Sequence, residues 1–151
     1  MVFFGGFAML FYSKYISSVE KKILIDNPTF DVLSTTPKLS TEKLVKIIKE
    51  SIPTTSKNDE ITYEKVDGID DIIPEHYILK VNKISIISIY KTQACHNFNT
   101  IKENNETIKI ATIDTMLSFY LAFIYTNKPY YNPERILCIA EYLFKVQARN
   151  R

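Results

Sequence analysis

The 151-residue chain has two cysteines, three glycines and no tryptophan. Cys95 and Cys138 alone cannot build a disulfide framework, and the neighbouring Cys95-His96 pair lacks the further ligands of a zinc site. A reducing, intracellular setting is the expectation. Neither His76 nor His96 stands with a recognisable serine or cysteine nucleophile motif, so a hydrolase reading gains nothing from them. The apolar opening, Met1 to Tyr12, has no basic stretch before it, carries a glycine pair and is too short to span a bilayer. It reads as buried strand and turn, with no membrane partner. There is no internal repeat and no coiled-coil heptad. With 19 Lys and Arg against 17 acids, the net charge of +2 raises no sequence-wide basic field, which leaves composition neutral on nucleic acid.

What is present is a core. At 46% apolar and 13% aromatic residues, the chain can close one compact domain and is too short for two. Val2 to Phe4 reads as a short buried strand, Gly5-Gly6 as a tight turn and Phe7 to Tyr15 as the start of a helix that Ser18 to Lys22 continue. Phe30 to Leu33 gives a second strand. Pro37 followed by Ser40-Thr41-Glu42 starts a helix carrying Leu44, Ile47 and Ile48 inward and ending near Ile52-Pro53. After a polar stretch from Pro53 to Glu60, Ile61 and Tyr63 alternate with Thr62 and Glu64 as in a half-buried strand. His76 to Tyr90 reads as a hairpin around Asn82-Lys83, with Tyr77, Leu79 and Val81 on one face and His76, Ile78 and Lys80 on the other. Ile108 to Ile113 is extended. Asp114 to Tyr125 and Pro133 to Gln147 then carry helical patterns, the second opened by Asn132 as cap before Pro133. The expected architecture is α+β, with residues 1–107 as the α/β core and 108–151 as a helical segment packed on it in the same compact unit. The abrupt apolar beginning and helical end read as a core whose flanking segments are missing.

Two features could carry chemistry. A glycine pair between strand and helix lets backbone N–H groups approach phosphate oxygens without a side chain in the way, although such a pair also serves as a plain turn. Ser13 and Lys14 lie farther along that helix. Asp31, inside the apolar run Phe30-Asp31-Val32-Leu33-Ser34, is costly to bury unless a cation or hydrogen-bond donors meet it. A metal ligand and a strand-end cap are both open readings. Two-metal phosphoryl chemistry wants carboxylates at i and i+2 of one strand, and the partner position here is Thr29. Asp26, Asp67, Asp70, Asp71 and Glu75 are further acids, the Asp67-Gly68-Ile69-Asp70-Asp71 stretch reading first as a solvated loop. The stripe Met116, Leu117, Phe119, Tyr120, Phe123 and Ile124 fits a buried helix, while Tyr130-Tyr131 is the better base-stacking candidate.

Several blocks, in order, carry a resemblance. They are Phe3-Phe4-Gly5-Gly6-Phe7-Ala8, Phe11-Tyr12-Ser13-Lys14-Tyr15, Phe30-Asp31-Val32-Leu33-Ser34, Ile72-Ile73-Pro74-Glu75-His76-Tyr77, Ala94-Cys95-His96-Asn97-Phe98-Asn99, Lys109 to Ala122, and Pro129-Tyr130-Tyr131 with Arg135-Ile136-Leu137-Cys138. Together they resemble catalytic subunits of viral poly(A) polymerases of the giant-virus and poxvirus type. The resemblance implies a polymerase-β-like nucleotidyltransferase core of mixed sheet and helices, followed by a C-terminal helical pair. It further implies addition of AMP from ATP to RNA 3′ ends with Mg²⁺ or Mn²⁺, in the cytoplasm of an infected host cell or the virion. Partners implied are ATP, an RNA 3′ end and a second copy or processivity subunit. By the same resemblance Gly5, Gly6, Ser13 and Lys14 hold the nucleotide, and Asp31 is the catalytic and metal-binding carboxylate. Thr29 replaces the first acid of an Asp-Phe-Asp pair, and the third carboxylate is placed near Ile78, where no acid stands. The alternative is a catalytically degenerate module that serves dimerisation or RNA binding.

Overall fold

The computed structural model describes residues 1–12, 17, 18, 22, 30–51 and 59–149. Among them run β1 (Val2–Phe4), α1 (Gly5–Leu10), β2 (Phe30–Ser34), α2 (Pro37–Ser51), β3 (Ile61–Val66), β4 (His76–Val81), β5 (Ile84–Lys91), β6 (Phe98–Glu103), β7 (Glu106–Ala111), α3 (Ile113–Thr126) and α4 (Pro133–Arg149). The seven strands form one mixed sheet in the order β3-β4-β5-β2-β1-β7-β6. β2 lies parallel to β5 and β1 parallel to β7, the other neighbours being antiparallel. This is the expected α+β core with a C-terminal helical pair. Residue 107 lies inside β7, a strand between β1 and β6, so the division drawn there cuts through the sheet.

Local chemistry sets the element ends. Both hairpins turn on two residues with positive φ, Asn82 and Lys83 between β4 and β5, Asn104 and Asn105 between β6 and β7. That backbone matches the right-handed twist of paired strands, and asparagine tolerates it well. Thr112 caps α3 by accepting from the Thr115 N–H, and Asp114 in the first turn complements the helix dipole. The helix stops at Asn127, whose left-handed φ of 47° is an ordinary C-terminal device. Asn132 caps α4 through Oδ1, which accepts the Arg135 N–H at 3.1 Å.

Three sequence expectations change. α1 begins at Gly5 itself and closes at Leu10, rather than starting at Phe7 after a turn. Ile47 is 55% exposed, because the packed stripe of α2 runs through Pro37, Thr41, Leu44 and Ile48 and passes it by. β6 was not anticipated. Its outer positions are polar or exposed, and its neighbour Asn104-Asn105 was the available turn signal.

The core joins sheet and helical pair. Met116, Leu117, Phe119, Tyr120 and Phe123 of α3 are buried, as are Ile136, Ile139, Ala140, Leu143 and Val146 at helical spacing on α4. Phe4 connects them to the sheet. Its ring stacks on Phe119 at 4.6 Å and meets Tyr90 edge-on at 5.3 Å. Phe4→Ala is expected to cost about 3 to 5 kcal/mol, the usual range for deleting a buried phenyl ring. Urea unfolding followed by circular dichroism checks this, and a loss near zero would mean that the helices do not depend on Phe4.

Candidate functional site

The site grows from the point where β1 turns into α1 beside the middle of the sheet. Register aligns Phe4 with Asp31, Asp31 with Ser88, Ser88 with Ile78, and Ile78 with Glu64, a single lateral row across five strands. Residues of one row point to the same side. Asp31 therefore faces the side on which Phe4 meets Phe119 of α3, and the two C-terminal helices overhang it. A cleft of about 500 Å³ opens there, lined among others by Gly6, Asp31, Ser88, Tyr90, Tyr131 and Arg135.

The Asp31 carboxylate excludes any residue larger than glycine from position 5. Gly5 has a φ of +81°, and a Cβ placed on it would overlap the Oδ2 of Asp31. Both the backbone conformation and the contact require glycine. The pair was legible in sequence as two separate features; their contact is a product of the β1–β2 register.

Tyrosines surround the carboxylate. Burial, then the negative charge of Asp31, pushes the Tyr90 hydroxyl well above its ordinary pKa, and the same two causes raise that of Tyr120. Burial, then Tyr130, with Asp31 a smaller contributor, pushes Tyr131 up to about 12. All three stay protonated at neutral pH, so they can donate hydrogen bonds. The Tyr131 hydroxyl, near that of Tyr90, is buried with no hydrogen-bond partner of good geometry among the described residues. Its ring stacks on Phe123 at 4.5 Å, while Tyr130 beside it is 60% exposed. Arg135 lines the cleft, and its positive charge reaches Tyr120. His76 stacks on Tyr90 at 4.3 Å, and burial lowers its pKa.

These residues do not make a two-metal site. Such chemistry needs carboxylates converging on two ions roughly 3.5 to 4 Å apart. The strand beside Asp31 offers Ser88, and Ile78 lies one strand farther, roughly 10 Å away at ordinary strand spacing. Ile78 thus shares the row of Asp31, with Ser88 between them. Glu64, the other acid of the row, is roughly 14 Å off and accepts from the Lys80 ammonium at 2.7 Å. Glu75 is held between Lys65 and Lys91, and Asp67 also pairs with Lys65. Asp70 and Asp71 belong to the exposed turn bridged by Ile69 and Ile73. No group of three or more His, Cys, Asp or Glu among the described residues could hold a metal ion. Thr29, Asp26, Ser13 and Lys14 lie outside the described residues.

Sequence reading found Gly5, Gly6, Asp31 and Tyr131 but missed Ser88 and Tyr90, and it assigned Tyr120 only to the core. None of these carries a motif, because strand pairing alone brings them to Asp31. The Gly5–Asp31 contact is testable by a mutant cycle. Gly5→Ala should cost about 2 to 6 kcal/mol, strain and overlap together, and only about 1 to 3 kcal/mol on an Asp31→Ala background, where the overlap is relieved and the strain remains. Denaturant titration of the four proteins measures both figures, and strict additivity would mean that the two residues do not touch.

No family model matches the sequence, and no curated protein does. Among solved structures, the chain is similar to that described as the crystal structure of the Megavirus polyadenylate synthase, with a TM-score of 0.66 and 18% identity. The alignment covers 99% of this chain and 29% of that one, so the chain spans under a third of the length of the protein it matches. At this identity the likeness shows the fold alone, which this chain shares with part of that polyadenylate synthase.

Proposed function

We propose that this chain is a poly(A) polymerase-like nucleotidyltransferase module that lacks the metal-dependent transfer step and serves to bind RNA. The observation that carries the reading is the row across the sheet at Asp31. Its lateral neighbours are Phe4 and Ser88, with Ile78 beyond Ser88, so among the described residues one carboxylate stands where in-line attack of an RNA 3′ hydroxyl on the α-phosphate of ATP requires several. Losing about 4 kcal/mol of charge stabilisation alone slows such a step about a thousandfold.

A second reading rests on Asp31 itself. It remains against Gly5 at the start of α1, where ATP and one Mg²⁺ or Mn²⁺ would meet in an active transferase. Incubating the chain with radiolabelled ATP, either metal ion and an oligoadenylate primer separates the two. The degenerate module gives no primer extension, and Thr29→Asp combined with Ser88→Asp, which puts acids on both flanks of Asp31, gives a weak activity that Asp31→Ala removes. Extension by the parent chain, abolished in Asp31→Ala with its circular dichroism intact, would establish the polymerase and overturn the module.

A further inference from the structure

The β6–β7 ribbon carries a surface that the Asp31 cleft does not use. Pairing places Phe98 opposite Ala111, Thr100 opposite Lys109 and Lys102 opposite Thr107. With a period of two along each strand, Phe98, Thr100, Lys102, Thr107 and Lys109 share one face, and all five are exposed. The other face carries Ile101 and Ile108, packed against the core, and buried Ile110. Both carboxylates of the ribbon, Glu103 and Glu106, belong to that other face at the hairpin tip. The outer face is therefore aromatic, hydroxylic and cationic, with no acid on it.

Exposure of one phenylalanine is common and means little alone. Its setting here is particular. The Lys109 ammonium lies over the Phe98 ring, 4.8 Å from its centroid. Lys38, Lys46, Lys65, Lys80 and Lys91 meet acids, in the pairs Lys38–Glu42, Lys46–Glu50, Lys65–Glu75, Lys80–Glu64 and Lys91–Glu75, whereas Lys43 and Lys49 of α2 meet none among the described residues. Lys102 and Lys109 have no ion-pair partner among the described residues. Two unneutralised cations stand roughly 7 Å apart along a ribbon whose edge presents a flat ring.

We infer that this outer face binds single-stranded RNA, a base stacking on Phe98 while Lys109 and Lys102 meet successive phosphates and the Thr100 and Thr107 hydroxyls hydrogen-bond along the strand. An aromatic ring accepts any base, and lysines track a backbone without reading sequence. The inference deepens the module reading above and rests on it for the identity of the ligand as RNA. A duplex hides its base faces, so the surface selects single strands.

Fluorescence anisotropy with a labelled single-stranded RNA of about a dozen nucleotides, titrated at several salt concentrations, provides the test. Phe98→Ala should weaken binding about 5- to 150-fold, and Phe98→Tyr should restore it. Lys102→Ala with Lys109→Ala should flatten the slope of log K against log salt by about 1.4, because two phosphates are then left to their counterions. Circular dichroism of each variant confirms the fold. A parent that binds RNA with all three variants unchanged would overturn the ribbon while leaving the module reading in place. A parent with no affinity for RNA would overturn both. Equal binding of duplex RNA, or equal competition by a polyglutamate peptide, would show plain polyanion attraction and overturn the stacking face.

Discussion

The contact between the Gly5 backbone and the Asp31 carboxylate fixes how β1, β2 and α1 meet, and the rest of the site is arranged around it. A side chain at position 5 would overlap Asp31 and would also have to hold a left-handed φ. With the contact made, Phe4 is directed onto Phe119 and Tyr90, which brings α3 against the sheet. Asp31 is left facing the space between sheet and helical pair, with Tyr90, Tyr120 and Tyr131 as neighbours. A charge in such surroundings needs donors. The Tyr120 hydroxyl donates to Met9 Sδ at 3.8 Å and that of Tyr131 has no hydrogen-bond partner of good geometry among the described residues, so the tyrosines stand around the carboxylate as neutral groups.

The row across the sheet at Asp31 underlies the proposed lack of metal chemistry. Carboxylates that share divalent ions must stand close together. Here Asp31 is flanked laterally by Phe4 and Ser88, Ile78 lies beyond Ser88, and Glu64, the other acid of the row, pairs with Lys80 at the far end. Under the proposed reading the fold serves as a scaffold whose surfaces, not its carboxylate, carry the function.

Much of the fold was legible because its signals are local. Asn82-Lys83 marks a hairpin by its own backbone preference, Asn132-Pro133 opens a helix by capping, and the spacing of Met116, Phe119, Tyr120 and Phe123 declares a buried helical face. Asp31 stood out because an acid within Phe-Asp-Val-Leu demands an explanation. Ser88 gave no such sign. It matters only through its register with Asp31, and register between β2 and β5, more than fifty residues apart, has no local signature. Ile47 and β6 were misread for a related reason: a helix stripe can be displaced by one position, and an edge strand with a polar outer face does not announce itself by hydrophobicity.

The proposed module needs no divalent ion at Asp31. Paramagnetic broadening of amide signals by sub-stoichiometric Mn²⁺ tests it directly, because Mn²⁺ at the carboxylate would erase the resonances of Gly5, Gly6, Asp31 and Ser88 first. The account predicts that these signals survive with intensities like those of the remaining core. Their selective loss, reversed by Asp31→Ala, would place a metal ion at Asp31 and contradict it.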